Sequence, residues 1–133
     1  MERKGSPMNN DLLVELQEIV RKRKQEREEG SYTAYLFEKG LDKVLKKLGE
    51  ETSETIIAAK NLEAAGRGCP DAGASDAKSD LLAEAGDLLF HFTVMLDILG
   101  VDVCEVEDLL RDRMKQKGNL KESLRKDGSG SRP

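Results

Sequence analysis

Residues 49–60 read Gly49-Glu50-Glu51-Thr52-Ser53-Glu54-Thr55-Ile56-Ile57-Ala58-Ala59-Lys60. The stretch is helix-prone, yet it sets three carboxylates within five positions, just after a glycine. Residues three or four apart on a helix are neighbours. Glu51 and Glu54 therefore lie one above the other, and Glu50, also adjacent to Glu54, points further from the core. The apolar stripe beside them is Leu41, Val44, Leu45, Leu48, Thr52, Thr55, Ile56, Ala59 and Leu62. This pattern predicts a helix beginning near Thr33, broken or bent at Gly40, with its acids on the edge of the buried face.

Outward from this helix the periodicity stays helical. Leu12, Leu13, Leu16, Ile19 and Val20 predict a first helix after the candidate caps Asn9 and Asn10, ended by Gly30. Ser31, Tyr32 and Thr33 read as a connector. Residues 64–78 hold Gly66, Gly68, Pro70 and Gly73, which predicts a loop. A further helix is expected from about Asp80 to Leu99, with Ser79 as its cap and Gly100 as its stop. Asp102 and Glu105 form an aspartate version of the capping box ahead of Val103, Val106, Leu109, Leu110 and Met114. No internal repeat and no strand-like alternation is present. The expected fold is all-α, a bundle of four or five helices over residues 10–117, between a flexible N-terminus (1–9) and a flexible tail (118–133).

Composition narrows the function. The 133 residues suit one domain with a core of its own. Charged residues make up 36% and aromatics 4%, without Trp, the profile of a helical protein with a small aliphatic core. A net charge of −4 argues against nucleic acid as a partner. The basic clusters Arg21 to Lys24 and Arg111 to Lys117 read as solvated helix faces. Cys69 and Cys104 form no CxxC pair, so a zinc site is not expected. The sequence has neither a membrane-length apolar run nor a signal peptide, so a cytoplasmic protein is expected.

Glu84, Asp87 and His91 follow one another at spacings of three and four, bordering a second apolar stripe of Leu81, Ala85, Leu88, Phe92, Met95 and Leu99. If the two helices pack antiparallel, the two acidic edges meet. Two carboxylates about 4 Å apart repel by roughly 4 kcal/mol at an effective dielectric near 20. Four of them converging without a counter-ion would consume much of a domain stability of about 5–15 kcal/mol. An all-oxygen donor set of Glu51, Glu54, Glu84 and Asp87 suits a hard cation, Mg²⁺ or Mn²⁺. Gly49 and Gly86 each precede an acid, which fits close helix approach or ligand access to the backbone. Leu82, Leu89, Phe92, Leu96 and Leu99 cannot all face the neighbour that covers Leu81, Leu88 and Met95, so this helix is expected to be buried on several sides, its core completed in a homodimer. The competing expectation is a monomer whose first and last helices cover those faces.

EExxE in one helix and ExxD in the next resembles the metal-binding pattern of the all-α, MazG-like nucleotide pyrophosphohydrolases. The wording SYTAYLFEKGLDKVLKKLGEE (31–51), IAAKN (57–61) and DLLFHF (87–92) is narrower and is similar to the phosphoribosyl-ATP pyrophosphatase family of histidine biosynthesis. The resemblance covers roughly residues 10 to 115. It implies Mg²⁺-dependent hydrolysis of phosphoribosyl-ATP to phosphoribosyl-AMP and pyrophosphate, with Glu50, Glu51, Glu54, Glu84 and Asp87 at the site, and paired chains. Lys39, Lys43, Lys46, Lys47 and Lys60 are candidate phosphate contacts, Lys47 being best placed, one turn before Glu51. His91, the sole histidine, is a candidate substrate or supporting residue, and either Glu50 or Glu54 the proton acceptor. Ser31, Tyr32 and Thr33 either bind substrate or cap the following helix. Two departures stand out: the segment 66–78 is longer than usual, and Phe90 stands where the family often has Tyr. Only about thirty residues precede Ser31, too few for the cyclohydrolase domain fused in some relatives, so one activity is expected. The rival readings are a housecleaning nucleoside triphosphate pyrophosphohydrolase, and a helical dimerisation module whose acids are merely solvated.

Overall fold

A computed structural model describes residues 11–67 and 74–116. Among them are five helices and no strand: α1 (Asp11–Glu26), α2 (Tyr32–Lys39), α3 (Leu41–Arg67), α4 (Ala74–Ile98) and α5 (Val103–Met114). Asn9, Asn10, Cys69 and all of the expected tail and N-terminal arm lie outside the described residues.

α3 and α4 form the longest contact, an antiparallel hairpin. α1 packs on α4, α2 bridges α1 and α3, and α5 rests on α1. The fully buried core draws one residue from each of the first four helices, Val20, Leu36, Val44 and Val94, with Phe37, Phe90, Met95 and Ile98 packed around it. This core sits at one end of the hairpin.

The helix boundaries follow local chemistry. Ser31 is the N-cap of α2, its Oγ accepting from the Ala34 N–H at 3.2 Å. Gly40 ends α2 at φ +94°, a conformation that costs glycine little, and the chain re-enters a helix at Leu41. Asp102 and Glu105 complete a reciprocal capping box at the start of α5.

Several expectations are corrected. α1 ends at Glu26, not at Gly30, because Arg27 already turns left-handed at φ +49°. The segment expected as a loop is helical at both ends, since α3 continues through Ala64, Ala65 and Gly66 to Arg67 and α4 begins at Ala74. Alanine-rich turns tolerate one glycine at a cost of about 1 kcal/mol, and Asp76 in the first turn of α4 complements the helix dipole. Gly49 and Gly86 do not mark close helix approach: a Cβ added at either would meet nothing within 4 Å. The buried line of α3 is also narrower than the stripe suggested. It advances seven residues at a time through Val44, Glu51 and Ala58, with Leu48 and Thr55 half-buried between them and Leu62 half-buried beyond. Leu45 and Ile56 remain 42% and 59% exposed. That is the seam spacing of two helices packed side by side, and it puts Glu51 inside the seam, not on its edge.

Candidate active site

The seam brings the predicted acids together. α3 supplies Glu51 and Glu54, and α4 supplies Glu84, Asp87 and His91. The carboxyl of Glu84 is held above its usual range by burial first, then by a hydrogen bond with Glu54 and by the charges of Glu54, Asp87 and Glu51. Glu50 stands outside this group, exposed, with its Oε1 3.5 Å from Lys47 Nζ.

Glu51 is the centre of the arrangement. It is 6% exposed, and its Oε1 is buried without a hydrogen-bond partner. His91 Nδ1 lies 2.5 Å from that oxygen, but the ring N–H is directed at the Asp87 carbonyl, 2.9 Å away. A carbonyl only accepts, so Nδ1 carries the proton. In the neutral ring Nε2 is then left to accept from the Tyr32 hydroxyl, also at 2.9 Å. Tyr32 stays protonated: burial raises its phenol above the usual range, against the pull of Lys47 and with the help of Glu51 and Asp87. His91 is thus fixed in ring plane and tautomer by α2 on one side and its own helix on the other. It supports Glu51 without satisfying it. An unmatched buried acceptor typically costs about 1–3 kcal/mol, so Glu51 Oε1 is a site waiting for a cationic partner.

The donor chemistry fits a hard cation: the buried Glu51 carboxylate, with an oxygen that makes no hydrogen bond, belongs to the same group of charges as Glu54, Glu84 and Asp87. The side chains do not close around a point by themselves. Among the described residues no group of three His, Cys, Asp or Glu is arranged as a ready metal cage. Like charges without a counter-ion stand apart, which accounts for an open arrangement in the protein alone.

The lysines divide. Lys47 faces the site, its ammonium held above the ordinary range by Tyr32 first and then by Glu50, with a further contribution from Glu51. Lys39 and Lys43 lie over the Tyr35 ring, 5.8 and 5.9 Å from its centroid. Lys60 stands apart on the outer face of α3, paired with Glu63. Beyond the acids an open groove of about 180 Å³ is lined by Glu54, Ile57, Ala58, Asn61, Asp80 and Glu84. Asn61 and Asp80 did not emerge from the motif. Their phase could have identified them, because Asn61 follows Glu54 by seven residues and Asp80 precedes Glu84 by four.

A bundle whose two longest helices oppose carboxylates across a partly buried seam falls in the class of all-α folds that carry an acidic site on a helical hairpin. Within that class the chain belongs to the phosphoribosyl-ATP pyrophosphohydrolase family, whose sequence model matches residues 13–114. It is 41% identical over 118 residues to the phosphoribosyl-ATP pyrophosphatase of Clostridium novyi (strain NT), covering 89% of this chain and 94% of that one. The enzyme of the same name from Streptococcus gordonii is 42% identical over 109 residues, covering 82% and 91%. That of Clostridium acetobutylicum is 39% identical over 116 residues, covering 87% and 93%.

Proposed function

We propose that this chain hydrolyses phosphoribosyl-ATP to phosphoribosyl-AMP and pyrophosphate, a step of histidine biosynthesis in the cytoplasm, with Mg²⁺ or Mn²⁺ held by Glu51, Glu54, Glu84 and Asp87. The observation that carries the proposal is the buried Glu51 carboxylate, whose Oε1 makes no hydrogen bond, on the same seam as Glu84, which feels the charges of Glu54, Asp87 and Glu51. When bound, the cation supplies charge neutralisation at the phosphates and a more acidic water. The chain's own residues do the rest. Lys47, held charged, binds a phosphate oxygen beside the acids. Lys39 and Lys43 extend that contact, with Lys60 the outermost candidate. His91, oriented by Tyr32, keeps Glu51 in place. Glu50 or Glu54 takes the proton of the attacking water.

The test is pyrophosphate release from phosphoribosyl-ATP beside a panel of ordinary nucleoside triphosphates, in Mg²⁺ and in EDTA. Release confined to phosphoribosyl-ATP and abolished by EDTA is expected. Equal release from ATP and the other triphosphates would make the chain a housecleaning enzyme instead.

The same proposal includes a homodimer. Leu82 and Leu89 of α4 and Leu99 just after it are 63%, 45% and 55% exposed in the single chain, although α1 covers part of this helix. Ile57, which lines the groove beside Glu54, is 59% exposed. Apolar surface of this extent beside a site is characteristic of an interface. Sedimentation equilibrium at low micromolar concentration should give twice the 14.7 kDa chain mass. A value near the single mass would refute the dimer. Among the described residues no helix is long and apolar enough to cross a membrane.

A further inference from the structure

The function above leaves a row of aromatic rings unexplained. Tyr32 and Tyr35 stack with centroids 5.9 Å apart and planes inclined by 24°. On its other flank Tyr32 meets Phe90 at 6.1 Å and 30°, and the edge of His91 at 5.7 Å. These spacings suit offset stacking, yet the two tyrosines are not core residues: Tyr32 is 45% and Tyr35 38% exposed. One end of the row, at His91, touches the acidic site. The other end, Tyr35, forms a wall of an open cleft of about 380 Å³ beside the α1–α2 turn, lined also by Ser31, Glu38, Glu28 and Glu29.

Charge gives the row a direction. Lys39, Lys43 and Lys47 are spaced four residues apart and form a cationic ladder from the Tyr35 ring to Glu50 and Glu51. The cleft that Tyr35 helps to line has three glutamates against a single arginine, Arg27. A polyphosphate is attracted to the ladder and repelled by the cleft. A flat, uncharged or weakly cationic ring fits the cleft, where the Tyr35 ring is part of the wall.

We infer that Tyr35, backed by Tyr32, is the shelf on which the purine base of the substrate stacks, with the phosphates running along Lys39, Lys43 and Lys47 to the carboxylates. This inference rests on the nucleotide reading above and adds the place where the base is recognised. Tyr35 is a binding residue here and takes no part in the chemistry.

The protein reports on its own shelf. It has no Trp, and Tyr32 and Tyr35 are its only tyrosines, so intrinsic tyrosine emission comes from this site alone. AMP, titrated with N-acetyltyrosinamide as the control for its absorbance, should quench that emission saturably, and ribose 5-phosphate should not. Stacking of one base on an aromatic side chain is worth roughly 5- to 100-fold in affinity. Tyr35→Ala should therefore raise KM for phosphoribosyl-ATP about tenfold and weaken AMP binding to a similar degree, with kcat unchanged, while Tyr35→Phe stays within about twofold of the native protein. The position is exposed enough for both variants to fold, which far-UV circular dichroism checks. Identical responses to AMP and ribose 5-phosphate, or a native KM in Tyr35→Ala, overturn the shelf and leave the hydrolase reading intact. AMP binding that depends on Tyr35 in a chain releasing no pyrophosphate from phosphoribosyl-ATP overturns the hydrolase reading and leaves the shelf.

Discussion

Glu51→Gln lowers the rate of pyrophosphate release by about 100-fold or more, and the metal-free protein unfolds no earlier than the native one. The activity loss is set at that size because removing even an outer partner of a metal ligand typically costs about 10- to 100-fold, and Glu51 offers the orphaned oxygen itself. Glu54→Gln, Glu84→Gln and Asp87→Asn should behave alike. Stability separates this from ordinary damage. Glu84 sits among Glu54, Asp87 and Glu51, and its carboxyl is held above the usual range by burial first and by these neighbours next. A carboxyl with a raised folded pKa favours the fold below its unfolded value, near 4.3, and that contribution is lost as pH rises through the folded value. The contribution of Glu84 to the stability of the metal-free native protein should therefore fall as pH climbs from about 4, a loss that Glu84→Gln should lack when the two pH profiles are compared. Mg²⁺ at about 100 times its dissociation constant should restore roughly 2.7 kcal/mol per site to the native protein only. Thermal melts in EDTA and in Mg²⁺, run beside the assay, measure all three effects. Native turnover in two of the four variants would show that the site lies elsewhere.

What could be read from the sequence divides along one line, local against distant. The capping box of Asp102 and Glu105 and the neighbouring pairs Glu51/Glu54 and Glu84/Asp87 depend on residues a turn apart, and spacing alone reveals them. The depth of Glu51 does not follow from spacing. A hydrophobicity pattern places a glutamate on the polar side, and only the seven-residue advance of the α3–α4 seam puts it in line with Val44 and Ala58. The contact of Tyr32 with His91 spans 59 residues and had no signal in either segment. The margins of the expected loop between the long helices are helical for another reason. Glycine and proline read as breakers across 64–78, yet the alanines at both margins carry α3 to Arg67 and start α4 at Ala74.

The largest stability effect is expected far from the site, at Asp97. This carboxylate is 7% exposed near the end of α4. Arg21 Nε donates to its Oδ1 at 2.7 Å and Lys24 Nζ to its Oδ2 at 3.1 Å, while Gln17 Nε2 reaches Oδ1 only at 3.4 Å. Gln17 also ties α1 to the α4–α5 turn, donating to the Val101 carbonyl at 3.0 Å and accepting from the Val103 N–H at 2.9 Å. The two cations are asymmetric with their acid: Arg21 and Lys24 side chains are 41% and 35% exposed, against 4% for Asp97. A cation that loses Asp97 turns to water, whereas Asp97 without its cations has nowhere to turn. Arg21→Ala or Lys24→Ala alone leaves one partner and should cost about 1 kcal/mol. The double variant leaves a buried, uncompensated carboxylate and should cost about 3–5 kcal/mol, beyond the sum of the single changes by about 1–3 kcal/mol. In a chain of this length that lowers the midpoint by roughly 10–20 °C. Adding Asp97→Leu to the double variant should recover much of the loss, because an apolar side chain needs no counter-charge there. Urea denaturation of the native protein and these four variants decides the matter. A double variant that loses no more than the two single variants together would mean that water already reaches Asp97, and that α1 is held to α4 by its apolar contacts and by Gln17 alone.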